Sequence, residues 1–288
     1  MRTFVLGLAL GVVTTAIAAD TNTDKSQYSL FHPTPVDQLR AMNSEQADKI
    51  LNPFTVDAGH VQIEASLVDY YNGSRQGSVG RVYNYNNSAN AFYWAPSFKV
   101  GLLNNLDLEV EPSYHTISAS QSGYVGSRPY SVSRTESEFG NVNVAVKANL
   151  WGNDGGATAL ALRPYISIPT QGGRTVVGGL DVPFAWQLPF GLTLKIASGI
   201  GAVENGDGTL YVGFENSAAL EKNLTPELLV FVNLATGVTT DEAADWVGYA
   251  GFGAAYTLSR NFQAYAGMRF GFEDGYDYNP YAGITLRF

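Results

Sequence analysis

Apolar and polar residues alternate along most of this chain. On an extended backbone Leu106, Leu108, Val110, Pro112 and Tyr114 would share one side, and Asp107, Glu109, Glu111, Ser113 and His115 the other. The run at 141–150 repeats the pattern, with Val142, Val144, Val146, Ala148 and Leu150 opposite Asn141, Asn143, Ala145, Lys147 and Asn149. So does 159–168, where Leu160, Leu162, Pro164, Ile166 and Ile168 oppose Ala159, Ala161, Arg163, Tyr165 and Ser167. Successive side chains of a strand point to opposite faces, so this period of two predicts β-strands with one greasy face and one wet face. About twelve segments qualify, near residues 57–71, 91–102, 106–118, 137–151, 157–169, 176–188, 191–203, 210–221, 224–237, 246–258, 262–272 and 277–288. Around Leu228-Leu229-Val230-Phe231 both faces are apolar, which predicts either a bulge or an interior that is filled at that level.

The links between segments are of two kinds. Asn104-Asn105, Asn153-Asp154-Gly155-Gly156, Pro189-Phe190-Gly191, Lys222-Asn223 and Arg260-Asn261 have the chemistry of tight turns. The links at 72–90, 119–136, 170–175, 204–209, 238–245 and 273–276 are longer and polar. Short and long alternate throughout. An antiparallel meander with tight turns at one end and long loops at the other is the layout of an all-β, up-and-down transmembrane β-barrel, with the tight turns in the periplasm. That layout puts Trp94 and Trp246 at the outer rim and Trp151 and Trp186 at the periplasmic rim, where an indole ring meets both lipid and water. A secreted soluble β-sandwich would also alternate, but it supplies no reason for either regularity.

The two ends of the chain add a compartment. Arg2, the apolar run from Phe4 to Val13 and the small residues Ala16-Ile17-Ala18 read as a secretory signal peptide over 1–18. Export through the periplasm to the outer membrane of a Gram-negative cell follows, with 19–56 as a non-alternating periplasmic or lumenal segment and 57–288 as the barrel. With no cysteine, the chain has to be held by strand pairing and burial alone. The formal net charge of −9 becomes −10 once Arg2 is removed, a balance that leaves phosphates unneutralised and excludes nucleic acid as a partner. At the other end Tyr281, Gly283, Leu286 and Phe288 resemble the C-terminal signal of outer-membrane barrel proteins. The resemblance implies recognition by the barrel-assembly machinery.

The segment before the first strand carries a second resemblance. Residues 37–42 and 44–51 read as short helical turns, the latter with Ser44 as N-cap. They lead into Pro53-Phe54-Thr55-Val56-Asp57-Ala58-Gly59-His60, followed by Gln62 and Glu64. This run is similar to the opening motif of the "MetA-pathway of phenol degradation" family. Where members of that family often carry Arg-Pro before Asp-Lys, this chain has Gln46-Ala47 before Asp48-Lys49. The resemblance implies an outer-membrane, transporter-like barrel, some members being encoded with aromatic-degradation pathways. The position and amphipathic turns of residues 20–52 predict that they fold into the lumen as a plug.

In a barrel the polar face of each strand lines the lumen. Glu64, Asp107, Glu109, Glu111, His115, Asn141, Asn143, Lys147, Arg163, Asp181, Lys195, Glu215, Glu227 and Arg269 are therefore expected inside. Inward residues on one strand are about 6–7 Å apart, so Asp107, Glu109 and Glu111 form an acidic ladder. These charges either pair across the interior or face one another over water as a constriction. About twelve strands enclose a narrow pore. Loop tyrosines such as Tyr276 and Tyr278 are expected to act chiefly as interfacial anchors.

The function expected is a channel or transporter for passive uptake or efflux of small molecules, hydrophobic or aromatic ones included. The alternative is a structural or adhesive barrel acting through its loops, with a barrel enzyme a weaker third. His32, His60 and His115 lack metal-ligand spacing, Ile117 stands where a lipase would need serine, and neither a phosphate loop nor G-x-S-x-G occurs. No catalytic residue, metal or cofactor is therefore expected. The partners are outer-membrane lipids, lipopolysaccharide and a small-molecule permeant.

Overall fold

Lipid cannot hydrogen-bond a backbone, so a sheet that enters a membrane has to close on itself. In the computed structural model, which describes residues 24–79, 83–125, 128–205, 207–242, 244, 246–273 and 276–288, it does. The predicted signal peptide lies outside the described residues. The strands are β1 (Val61–Val79), β2 (Tyr83–Trp94), β3 (Ser97–Leu103), β4 (Leu106–Val125), β5 (Arg128–Trp151), β6 (Thr158–Pro169) and β7 (Val177–Leu188). They continue with β8 (Leu192–Glu204), β9 (Leu210–Asn223), β10 (Leu228–Thr239), β11 (Val247–Ser259), β12 (Phe262–Glu273) and β13 (Tyr278–Arg287). Each pairs antiparallel with its neighbours, and β13 returns to β1 from Gln62↔Arg287 to Asn72↔Tyr278, which closes the ring.

The thirteen strands among the described residues make twelve staves. β2 and β3 both lie between β1 and β4, one above the other, with a break at Ala95-Pro96. Pro96 has no N–H to give to the ladder, so the stave is interrupted there. The faces point as the alternation requires. Leu150, Ile166, Leu234, Phe252, Phe270 and Phe288 are exposed on the outside, while Glu64, Glu109, Lys147, Arg163 and Lys195 are buried within. The four tryptophans are all exposed, Trp94 at the break that ends β2.

The apolar stretch at Leu228 to Phe231 is explained by a filled interior. β10 runs without a register shift against β9 or β11. Its inward Phe231 is 3% exposed, and Leu229 packs on the cluster formed by Ala47, Ala255, Tyr265 and Tyr281. Inward aromatic rings fit because glycine lies beneath them: a Cβ at Gly267 would stand 2.4 Å from the Tyr281 ring.

The structure departs from the expected pattern in three places. Residues 57–60 form a turn, with the Asp57 carbonyl accepting from the His60 N–H at 3.1 Å, and the wall starts at Val61. Gly59 has φ +76°, and a Cβ there would meet Pro33 at 2.7 Å. The links at 72–90 and 119–136 are mostly strand. β6 joins β5 only from Asn141 and β13 joins β1 only from Asn72, so the far halves of β1, β2, β4 and β5 project as a four-stranded sheet. Along the far half of β5 both faces are exposed, so no period of two marks it. The third departure is Tyr281, which is buried and faces inward with Gly283, whereas Leu286 lies on the other face and the terminal Phe288 is 66% exposed. The aromatic and the last two apolar positions therefore do not share a face.

A test of the lipid-facing belt follows. Leu234→Arg, halfway along β10, should lower unfolding free energy in lipid bilayers by about 2–4 kcal/mol. Val132→Arg, on the projecting part of β5, should change it by less than about 1 kcal/mol.

Candidate functional site: the plugged lumen

A single turn of helix sits inside the ring. The chain from residue 24 passes through a 3-10 turn at Val36–Gln38 to α1 (Glu45–Asp48). Ser44 precedes α1 in an extended conformation, and Lys49 ends it at φ 61°. The Ser44 hydroxyl does not cap the helix; it donates to Glu64 at 2.8 Å and accepts from the Thr285 hydroxyl at 2.8 Å. α1 contacts β1, β10, β11, β12 and β13, and its side chains reach β3, β5 and β8. Strands so spread around a closed ring can be touched together only from within.

The contacts are ion pairs. Glu45 meets Lys99 at 2.5 Å and Lys147 at 2.7 Å. Lys99 also meets Glu64 at 2.7 Å, and Lys147 meets Glu109 at 2.7 Å. From Glu109 the network runs to Arg163 at 2.5 Å, and from Arg163 to Glu111 at 3.2 Å and Asp181 at 3.0 Å. A second group joins Asp48 to Lys195 at 2.6 Å, with Glu221 on the same ammonium at 2.8 Å. Lys49 pairs with Asp69 at 2.7 Å. Asp107, by contrast, accepts from the Val56 N–H at 2.9 Å. Burial alone would raise the Glu45 carboxyl, but Lys147, Lys99 and Arg163 overcome it and hold the group below the usual carboxylate range. Burial pushes Asp48 up to about 8, against the pull of Lys195 and with Glu221 adding to the rise. Two acids sharing one ammonium cannot both remain ionised cheaply in a buried site.

The motif residues tie this segment to the tight-turn end of the barrel. Asp57 accepts from the Arg40 N–H at 3.0 Å and meets Arg287 at 3.4 Å. His60 places one ring nitrogen 2.9 Å from the Phe288 oxygen and the other 2.8 Å from the Thr34 carbonyl. Thr55 is held by Asn104 and Asn153, the Pro53 carbonyl accepts from Asn149, and Gln62 donates to the Asn43 carbonyl and to Glu64. Asp57 therefore stabilises the turn through its backbone, and its carboxylate serves arginines rather than His60.

Above Leu51 the lumen opens. A cavity of about 550 Å³ includes His115, Glu138, Asn143, Arg163, Tyr165 and Asp181 in its walls. It adjoins a second of about 290 Å³, with Leu51, Asp181 and Glu215 common to both. Tyr276 folds inward, its ring 4.6 Å from Tyr71 and stacked 4.3 Å from Tyr249. Tyr71 continues to Tyr93 at 5.0 Å and Tyr93 to His115 at 5.5 Å, an aromatic arc along the inner wall. His115 bonds Glu138 at 3.0 Å.

Most predicted lumenal residues face the interior, and one does not. Glu227 is exposed in the turn before β10, where it accepts from Thr225, because the strand begins only at Leu228. Tyr276 is not an interfacial anchor. Lys99 and Glu221 went unrecognised although both sit on the wet side of an alternating run. Glu45, Asp48, Lys49 and Asp69 carry no such signal, since the plug has no period and a register shift between Ser66 and Val68 reverses the faces of β1.

Fold and site together define a twelve-stave, internally plugged β-barrel of the outer-membrane type. The family model described as "Putative MetA-pathway of phenol degradation" matches residues 46–288, and the chain belongs to that family. The fold is similar to that of the COG4313 outer membrane channel from Pseudomonas putida F1, with TM-score 0.50 and 10% identity over 86% of this chain and 100% of that one. Weaker likenesses are the NanC porin (TM-score 0.45, 11% identity, 76% of this chain and 98% of that) and the transport unit of the autotransporter AIDA-I from Escherichia coli (TM-score 0.48, 8%, 79% and 89%). Among curated proteins none matches the sequence.

Two measurements probe the plug contacts. Lys147→Met removes the cation shared by Glu45 and Glu109, which keep Lys99 and Arg163, and should cost about 1–3 kcal/mol of unfolding free energy in bilayers. Because docking raises Asp48 from an ordinary 3.8 to about 8, the docked form binds the extra proton. Docking is then strongest below about pH 4, weakens as pH rises from about 4 to about 8, and levels off above that, where the docked carboxyl has ionised too. Hydrogen exchange at residues 45–50, corrected for its intrinsic pH dependence, should accelerate between about pH 5 and about 8 in the wild type, by about tenfold per unit at most, level off above that, and lose the acceleration in Asp48→Asn.

Proposed function

We propose that this protein is an outer-membrane channel for small molecules, closed in the present conformation by its own N-terminal segment. The observation that carries the reading is the nature of the closing contacts. Glu45 and Lys49 meet the wall through opposite charges and Asp48 through the Lys195 ammonium, and the apolar part of the seal is small: Ala47 and Ile50 against residues such as Ala197, Ala219 and Tyr281. Charged groups that separate into water regain their hydration, so such a seal can open at modest cost, whereas a permanent filler would be apolar. The cavities above Leu51 supply a polar antechamber on the outer side. The tyrosine arc suits flat organic permeants, which supports including aromatic molecules among them. A second reading, a barrel that acts by adhesion, is favoured by the projecting sheet of β1, β2, β4 and β5.

Deletion of residues 20–52 separates the readings. Single-channel conductance in planar bilayers should rise several-fold over the full mature chain, as about twelve staves leave a narrow open lumen once emptied. Unchanged conductance would reject the plug, and no conductance from either form would reject the channel.

A further inference from the structure

Among the described residues the lumen contains one cation that the ion-pair network leaves out. Lys49, Lys99, Lys147, Arg163 and Lys195 each hold a carboxylate within 3.0 Å. Arg269, on the inner face of β12, makes no hydrogen bond and no ion pair among the described residues. Its guanidinium carbon lies 5.0 Å over the centroid of the Tyr249 ring, and its Nε is buried with no acceptor. The Tyr276 hydroxyl, on the ring stacked against Tyr249, is also buried and unbonded. Unmet donors in a half-buried, aromatic surround are costly unless something supplies acceptors. Arg269 and Tyr249 help to line the 290 Å³ cavity, and the Tyr276 ring lies against Tyr249.

The rest of that cavity limits what could satisfy them. Ala197, Gly199, Ala235 and Gly237 leave the neighbouring wall shallow, Ala235 being the cross-strand partner of Tyr249, so there is room for an organic body beside the Tyr249 ring. Lys49 forms part of the lining but is committed to Asp69. Asp181 is committed to Arg163, and Glu215 faces the cavity with no hydrogen bond or ion pair among the described residues. One uncommitted cation together with two carboxylates on the walls accommodates a single negative charge and repels a second. A planar carboxylate matches the guanidinium fork, and a flat ring matches the tyrosine face.

We propose that this cavity is a binding site for a small organic monocarboxylate, its carboxylate on Arg269 and its body against Tyr249. The proposal rests on the channel reading only in making this ligand a permeant; the site itself belongs to the closed protein. Binding is therefore measured on the full mature chain in detergent, without any conductance, so a failed titration removes the anion site and leaves the plug-deletion experiment to judge the channel. Benzoate, benzamide and benzamidine share a shape and differ in charge. By calorimetry, benzoate should bind about tenfold or more tighter than benzamide, and benzamidine weaker than either. Arg269→Gln, checked for a folded barrel by heat-modifiable migration, should bring benzoate down to the benzamide level. Equal affinities across the three probes, no binding of benzoate by the wild type, or wild-type benzoate affinity in Arg269→Gln would each overturn the proposal.

Discussion

Every polar backbone group within a bilayer must find its partner inside the protein, and the pairing of β13 with β1 meets that demand for the whole sheet. The rest of the molecule follows from this closure. A closed ring has an inside, and a period of two delivers half of every stave's side chains into it. Where those side chains are Glu, Asp, Lys and Arg, they are removed from bulk water and must satisfy one another. The network from Glu64 through Lys99, Glu45, Lys147 and Glu109 to Arg163 is the result.

That network is incomplete as wall alone. Lys99 and Lys147 are bridged by Glu45, and Lys195 completes its pairing with Asp48, so the plug supplies the acids that finish sites begun by the strands. Docking and interior electrostatics are thus one problem. The same logic gives the upper lumen its different character. Above Leu51 no described plug residue supplies a counter-charge to Arg269, and the tyrosines there stand beside a wall of small residues. The lower lumen is closed by mutual neutralisation, and among the described residues the upper lumen leaves Arg269 and Glu215 unpaired beside open volume.

The motif around Pro53 to Glu64 takes a structural place in this scheme. Asp57, His60 and Glu64 bind Arg287, the Phe288 oxygen and Ser44, linking the plug, the start of the first stave and the end of the last. A motif at the entrance to strand one was legible; that it stitches the barrel's seam was not, because its partners lie at the far end of the chain. Likewise Glu45 and Lys147 are 102 residues apart, and no local pattern relates them.

Alternation alone determined the number of staves, the orientation of their faces and most of the inward charges, such as Glu109, Lys147, Arg163 and Lys195. It could do so because each stave must solve the same problem, lipid on one side and lumen on the other, within its own ten or so residues. Tertiary structure decided which charges meet, where the plug rests, that Tyr276 turns inward and Glu227 stays out, and that β1, β2, β4 and β5 rise beyond the ring. Those features depend on distant segments being brought together by ring closure, or on surfaces wet on both faces, and neither condition leaves a period in the chain.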